Sequence, residues 1–159
     1  MRLDVVEKEK GKTHALVRGV AARMAELGYK IGGFNAAVTS NVMSGSGLSS
    51  SAAFEVMTCA IFDALYNGFT IDYKTRAKIS QYAENVYFGK PSGLLDQLTS
   101  AVGGIIFADF ADPRTPKIEK LHADGLLPEG MFLCVTDTRG SHSELTGEFA
   151  AIRQEMEQV

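Results

Sequence analysis

Apolar positions along the chain fall into stretches of helical and of alternating spacing. From Thr13 to Leu27, the residues Leu16, Val17, Val20, Ala21, Met24 and Leu27 recur three and four apart, which predicts a helix that Gly28 ends. Gly33 to Val42 alternates through Phe34, Ala36, Val38 and Ser40 and predicts a strand. Beyond a glycine-serine stretch, Ala52, Val56, Cys59, Ala60 and Ala64 give a broad apolar face to a helix reaching about Tyr66. Another helix is predicted from about Asp72 to Phe88, until Gly89-Lys90-Pro91-Ser92-Gly93 breaks it. Strands are predicted at Gly104 to Phe110, at Lys117 to Leu121 and, as a buried run, at Met131 to Asp137, with a last helix starting near Ser143. Elements that mix without regular β-α alternation predict an α+β fold rather than a doubly wound sheet.

Composition narrows the class. The 159 residues are 45% hydrophobic and 22% charged, enough for one sizeable core or for one domain and part of a second. Disordered, collagen-like and coiled-coil readings fall away. No apolar run approaches the roughly 18 residues of a spanning helix. Charges interrupt the start from Arg2 to Lys8, so no signal peptide is expected. A net charge of −3 gives no electrostatic reason to expect nucleic acid or an anionic membrane as partner. Cys59 and Cys134 read as buried, reduced thiols of a cytoplasmic protein. His14, His122 and His142 have no His or Cys partner at metal-ligand spacing, so zinc is not expected.

The segment Ser44-Gly45-Ser46-Gly47-Leu48-Ser49-Ser50-Ser51-Ala52-Ala53 carries the most chemistry. A strand, a Gly/Ser loop and a helix N-terminus together bind anions, because the first helical N–H groups lack internal partners and the helix dipole is positive there. Gly45 and Gly47 let a bulky ligand approach the backbone, and Ser49, Ser50 and Ser51 add hydroxyls for phosphate oxygens or Mg2+. A serine-capped helix after a glycine turn is the alternative, and needs no ligand. GxxxxGK[ST] fails for want of its Lys, and GxGxxG is not met.

Gly47-Leu48-Ser49-Ser50-Ser51-Ala52-Ala53 resembles the second signature motif of the GHMP small-molecule kinases, which implies phosphoryl transfer to an alcohol. That chemistry needs a metal across the phosphates and a carboxylate near the acceptor hydroxyl. Glu84, late in the Asp72–Phe88 helix, and Asp96, amid Leu94, Leu95 and Leu98, are the candidates. Their alternatives are a solvated helix-face acid for Glu84 and a helix N-cap for Asp96.

Ala83-Glu84-Asn85 with Gly89, then Ser92-Gly93-Leu94-Leu95-Asp96-Gln97, is similar to the galactokinase branch, as is Thr138-Arg139-Gly140-Ser141-His142-Ser143. The resemblance implies a GHMP-type N-terminal domain with a left-handed β-α-β element. Residues 1–125 would belong to its ATP-binding domain, and 126–159 would begin the C-terminal domain. It implies ATP and Mg2+ as cofactors and galactose or a relative as substrate. Gly45, Ser46, Gly47, Leu48, Ser49, Ser50, Ser51 and Ala52 would hold the triphosphate, and Ser51 and Glu84 the Mg2+. Asp96 would be the catalytic base or electrostatic partner, and Gly93 and Asp96 would meet the sugar. Phe149 stands where the branch carries a tyrosine that contacts galactose. The family's N-terminal sugar motif and C-terminal glycine-rich motif have no counterpart here. This predicts a central fragment, weakly active or inactive, that could associate through exposed surface. A non-catalytic nucleotide-binding or self-associating sensor, and a kinase for another small alcohol, are the rival readings.

Overall fold

The protein's structure, a computed structural model, describes residues 3–42, 47–122, 128–132, 134–136, 146–156 and 158. Among them, helix α1 spans Thr13–Glu26 and α2 spans Ser50–Tyr66. Helix α3, Tyr73–Tyr82, runs on into a π-helical turn, Ala83–Phe88. Helix α4 spans Leu95–Val102, strand β1 Ile105–Asp109, strand β2 Lys117–Leu121 and helix α5 Thr146–Met156. Strands β1 and β2 form an antiparallel pair, with Ile105 opposite Leu121 and Asp109 opposite Lys117. The fold is α+β, and no helix among the described residues is long and apolar enough to cross a membrane.

The main core lies where α1, α2 and α3 converge, and its centre is Val20, Met24, Cys59, Phe62 and Ile79. A second cluster, Ala77, Leu94 and Leu98, is covered by Ile106, Phe110 and Ile118 of the hairpin region. Helix α3 therefore serves both, with Ile79 facing one core and Ala77 the other. Gly19 sets how closely α1 meets the π-helical turn. A Cβ there would stand 2.8 Å from the Cα of Ala83, closer than atoms can pack. That absent side chain lets the turn carrying Glu84 settle beside α1.

Three expectations need correction. Residues 33–42 form no strand. Phe34 packs edge-on against Phe62 at 5.1 Å, but beyond it the segment is exposed, with Val38 and Val42 open to solvent. Alternation makes a strand only where another backbone pairs with it, and no described segment does so here. The β-α-β element that this strand would open is thus not formed among the described residues. Nor is Met131 to Asp137 a buried strand: Met131, Phe132 and Val135 are exposed, while Leu133 and Asp137 lie outside the described residues. Finally, Cys134 is exposed, whereas Cys59 is buried and its thiol is pushed up to about 12 by desolvation. The stretch from Thr138 to Ser143 lies outside the described residues, and α5 begins at Thr146.

Candidate functional site

The site is built at the N-terminal end of α2. Gly47 has φ +76, and Ser49, the residue before the helix, is left-handed at φ 57, ψ 41. A left-handed non-glycine residue costs about 1 kcal/mol, and such strain gathers at ligand-binding turns. Ser49 makes no side-chain cap, although its carbonyl accepts from the Ala53 N–H at 3.1 Å. Ser50 and Ser51 form the first turn, half-buried, with Ala52 buried behind them and Leu48 exposed. Gly45 and Ser46 lie outside the described residues.

The Ser51 hydroxyl donates to Glu84 Oε1 at 2.8 Å, across 33 positions of sequence. Glu84 is only 2% exposed, so it is no solvated helix-face acid. It sits in the π-helical turn, where the ladder opens by one residue, a distortion that recurs at functional sites. The ammonium of Lys90 lies 3.4 Å from the same oxygen. Glu84 Oε2 takes a 2.8 Å hydrogen bond from the Gln97 amide.

That amide also donates to Glu55 Oε2 at 3.2 Å, tying two carboxyl groups together. Glu55 and Gln97 are fully buried, and Glu55 Oε1 and Gln97 Oε1 have no hydrogen-bond partner. Burial, with Glu84's charge adding to it, pushes the Glu55 carboxyl up to about 9, so it is protonated at neutral pH. A neutral Glu55 spares the corner the repulsion of two buried anions across one amide.

Neither Glu55 nor Gln97 was singled out from sequence. The available signal was charge within an apolar helix: Glu55 and Asp63 are the acids of α2, and both are fully buried.

Asp96 lies in the first turn of α4, whose N-cap is Leu94, so Asp96 is not the cap. It is exposed rather than enclosed by its leucines, where the helix dipole favours its charge. Its carboxylate is close enough to disfavour ionisation of Glu55, and its neighbour Gln97 bonds both Glu84 and Glu55. Gly93 is exposed, and a Cβ there would meet nothing within 4 Å. Preceding it, Ser92 is pinned to the π-helical turn, its N–H donating to Asn85 Oδ1 at 2.7 Å. The structure thus gathers Ser51, Glu84, Lys90 and Gln97 at one corner and sets Asp96 beside them. Phe149 lies on α5.

Among the described residues, no three His, Cys, Asp or Glu side chains are arranged to hold a metal. One carboxylate and one hydroxyl are nonetheless a fitting protein share for Mg2+, which keeps waters and takes substrate phosphates as its other ligands. The hard oxygens of Ser51 and Glu84, 2.8 Å apart, are of the kind that would supply that share.

Comparison with known proteins identifies the family. Residues 15–104 match the family model of the GHMP kinases N terminal domain. The chain belongs to that kinase family. A galactokinase of Streptomyces coelicolor is 39% identical over 139 residues, covering 85% of this chain and 34% of the relative. One from Pyrococcus furiosus is 40% identical over 117 residues, covering 74% and 33%. Another, from Thermotoga petrophila, is 34% identical over 160 residues, covering 98% and 45%. The chain therefore spans about a third to just under half the length of these curated relatives.

Proposed function

We propose that the chain carries the nucleotide and metal corner of a galactokinase-like sugar kinase, which moves the terminal phosphoryl group of ATP directly to a hydroxyl of galactose or a close relative. The contact of Ser51 with Glu84 at the N-terminus of α2 is the observation that carries this reading. Residues 45–52 wrap the triphosphate with backbone N–H groups and serine hydroxyls. Ser51 and Glu84 hold Mg2+, which when bound neutralises charge on the transferring phosphates. Gln97 keeps the Glu84 carboxylate turned toward Ser51. Asp96, exposed beside this corner, accepts the proton of the attacking sugar hydroxyl or balances its charge. Gly93 offers the sugar an approach free of any side chain. In this reading residues 126–159 open the second domain of the kinase.

The test is calorimetric titration of ATP into the chain with Mg2+ and with EDTA, with and without galactose, followed by sugar-dependent ADP release over a panel of monosaccharides. Mg2+ should tighten ATP binding, and Ser51→Ala and Glu84→Gln should each remove most of that gain. ATP binding indifferent to Mg2+, or unchanged in both variants, would refute the reading.

A further inference from the structure

Glu84 is buried, and a buried carboxylate is costly unless a cation or several donors attend it. Among the described residues, the cation paired with it is Lys90, whose Nζ is 3.4 Å from the oxygen that also accepts from Ser51. This lysine is not placed by a free side chain alone. Gly89, at φ +85, turns the chain out of the π-helical turn. The N–H groups of Gly89 and Lys90 then both donate to the Glu84 carbonyl, at 3.0 and 3.1 Å. Main chain and side chain of Lys90 are thus fastened to one residue. Its side chain remains 36% exposed, which sets the ammonium at the rim, between the buried acid and the solvent.

A polyphosphate laid against the first turn of α2 would meet the like charge of Glu84 unless a cation stood between them. We propose, on the nucleotide-site reading above, that Lys90 is the resident cation of this corner: its ammonium holds the Glu84 carboxylate while no divalent ion is bound and contacts the polyphosphate of the nucleotide. Lys90 and Mg2+ then compete for one carboxylate oxygen. Lysine suits the task, being a compact point charge on a flexible stem that can swing from carboxylate to phosphate.

The competition predicts two effects of opposite sign, which loss of fold alone cannot produce. Titrate AMP-PNP, a non-hydrolysable ATP analogue, into the full 159-residue chain with EDTA, and again over a MgCl2 series at constant ionic strength. In Lys90→Met, metal-free AMP-PNP should bind about tenfold more weakly, for loss of a charged hydrogen bond. The Mg2+ concentration that half-saturates the response should instead fall, by about threefold, the scale of a part-exposed ion pair. Lys90→Arg should stay close to the parent in both. Equal weakening with and without Mg2+, or no change in either, overturns the proposal. Glu84→Gln separates the two levels. If it abolishes the Mg2+ response while Lys90→Met changes nothing, only the role of Lys90 fails. If the response survives in Glu84→Gln, the metal reading fails and takes this proposal with it.

Discussion

The two ends of helix α2 each bury an acid, and they treat it differently. At the C-terminal end, both oxygens of Asp63 are engaged: Thr70 N–H donates to one, and Ile71 N–H and the Arg76 guanidinium donate to the other. Arg76 in turn lies 4.7 Å over the ring of Phe69, which is itself left-handed at φ 58. That cluster closes the loop into α3. At the N-terminal end, Glu55 and Gln97 each keep a buried oxygen without a partner, and Ser49 holds a left-handed backbone whose side chain makes no cap. Arg76 Nε is also buried without a partner, so the difference lies in the acids themselves. Asp63 has both oxygens engaged, whereas Glu55 keeps a buried oxygen unpaired, a cost that a ligand can relieve. The contrast separates an acid saturated by its own loop from one left open beside the proposed nucleotide corner of Glu84.

Breaking the Asp63 end should cost the most. Asp63→Ala removes the acceptor of two loop N–H groups and leaves the Arg76 guanidinium, largely buried, without its carboxylate. Stability should fall by about 3–5 kcal/mol, measured by urea unfolding. A loss below about 1 kcal/mol would show the cluster to be incidental.

The Glu55 end has a pH signature. Folding raises the Glu55 carboxyl from the usual 4.5 to about 9, so between those values the folded chain keeps a proton that the unfolded chain has released. This contribution is full below about pH 4.5 and is lost as pH rises through about 9. Glu55→Gln, which stays neutral throughout, should remove that decline. The variant should match the parent near pH 4 and exceed it near pH 9 in unfolding experiments across the range. Parallel stability curves for the two proteins would mean that Glu55 is not held neutral.

What could be foreseen from sequence follows the range of the forces involved. Helices α1 and α2 were legible because the 3.6-residue repeat is local, and β2 because Lys117–Leu121 pairs with a close neighbour in the chain. The segment 33–42 was misread because alternation states only that one face is apolar, while pairing depends on a partner. Ser51 and Glu84 could be named from their motifs. Their meeting at 2.8 Å depends on Gly19 admitting the π-helical turn beside α1, and no local pattern announces that. Glu55 and Gln97 stayed hidden because periodicity ranks positions by apolarity and passes over polar groups paired inside.

Within the corner, a single hydroxyl should matter next most. Ser51→Ala deletes one donor to Glu84 and one proposed metal ligand. The stability cost should be about 1 kcal/mol, the net worth of one hydrogen bond. Affinity for Mg2+-loaded ATP should fall about tenfold, with metal-free ATP far less affected, since ligation by oxygen is what Mg2+ demands. Equal effects on both forms of the nucleotide would place Ser51 with the structural end of the helix.

Asp96→Asn should do least to binding and so draws the finest line. Asp96 is exposed and lies one residue from Gln97, outside the bonds that join Ser51, Glu84 and Glu55. Loss of its charge should shift stability by no more than about 0.5 kcal/mol, as for other surface changes. Affinity for Mg2+-loaded ATP should stay within about twofold, the scale of a weakly screened surface charge. What should disappear is the sugar-dependent part of ADP release, because an amide cannot accept the proton of the acceptor hydroxyl. If Asp96→Asn weakens nucleotide binding as much as Ser51→Ala does, the carboxylate belongs to the phosphate side of the corner. The division between holding ATP and confronting the alcohol would then have to be redrawn.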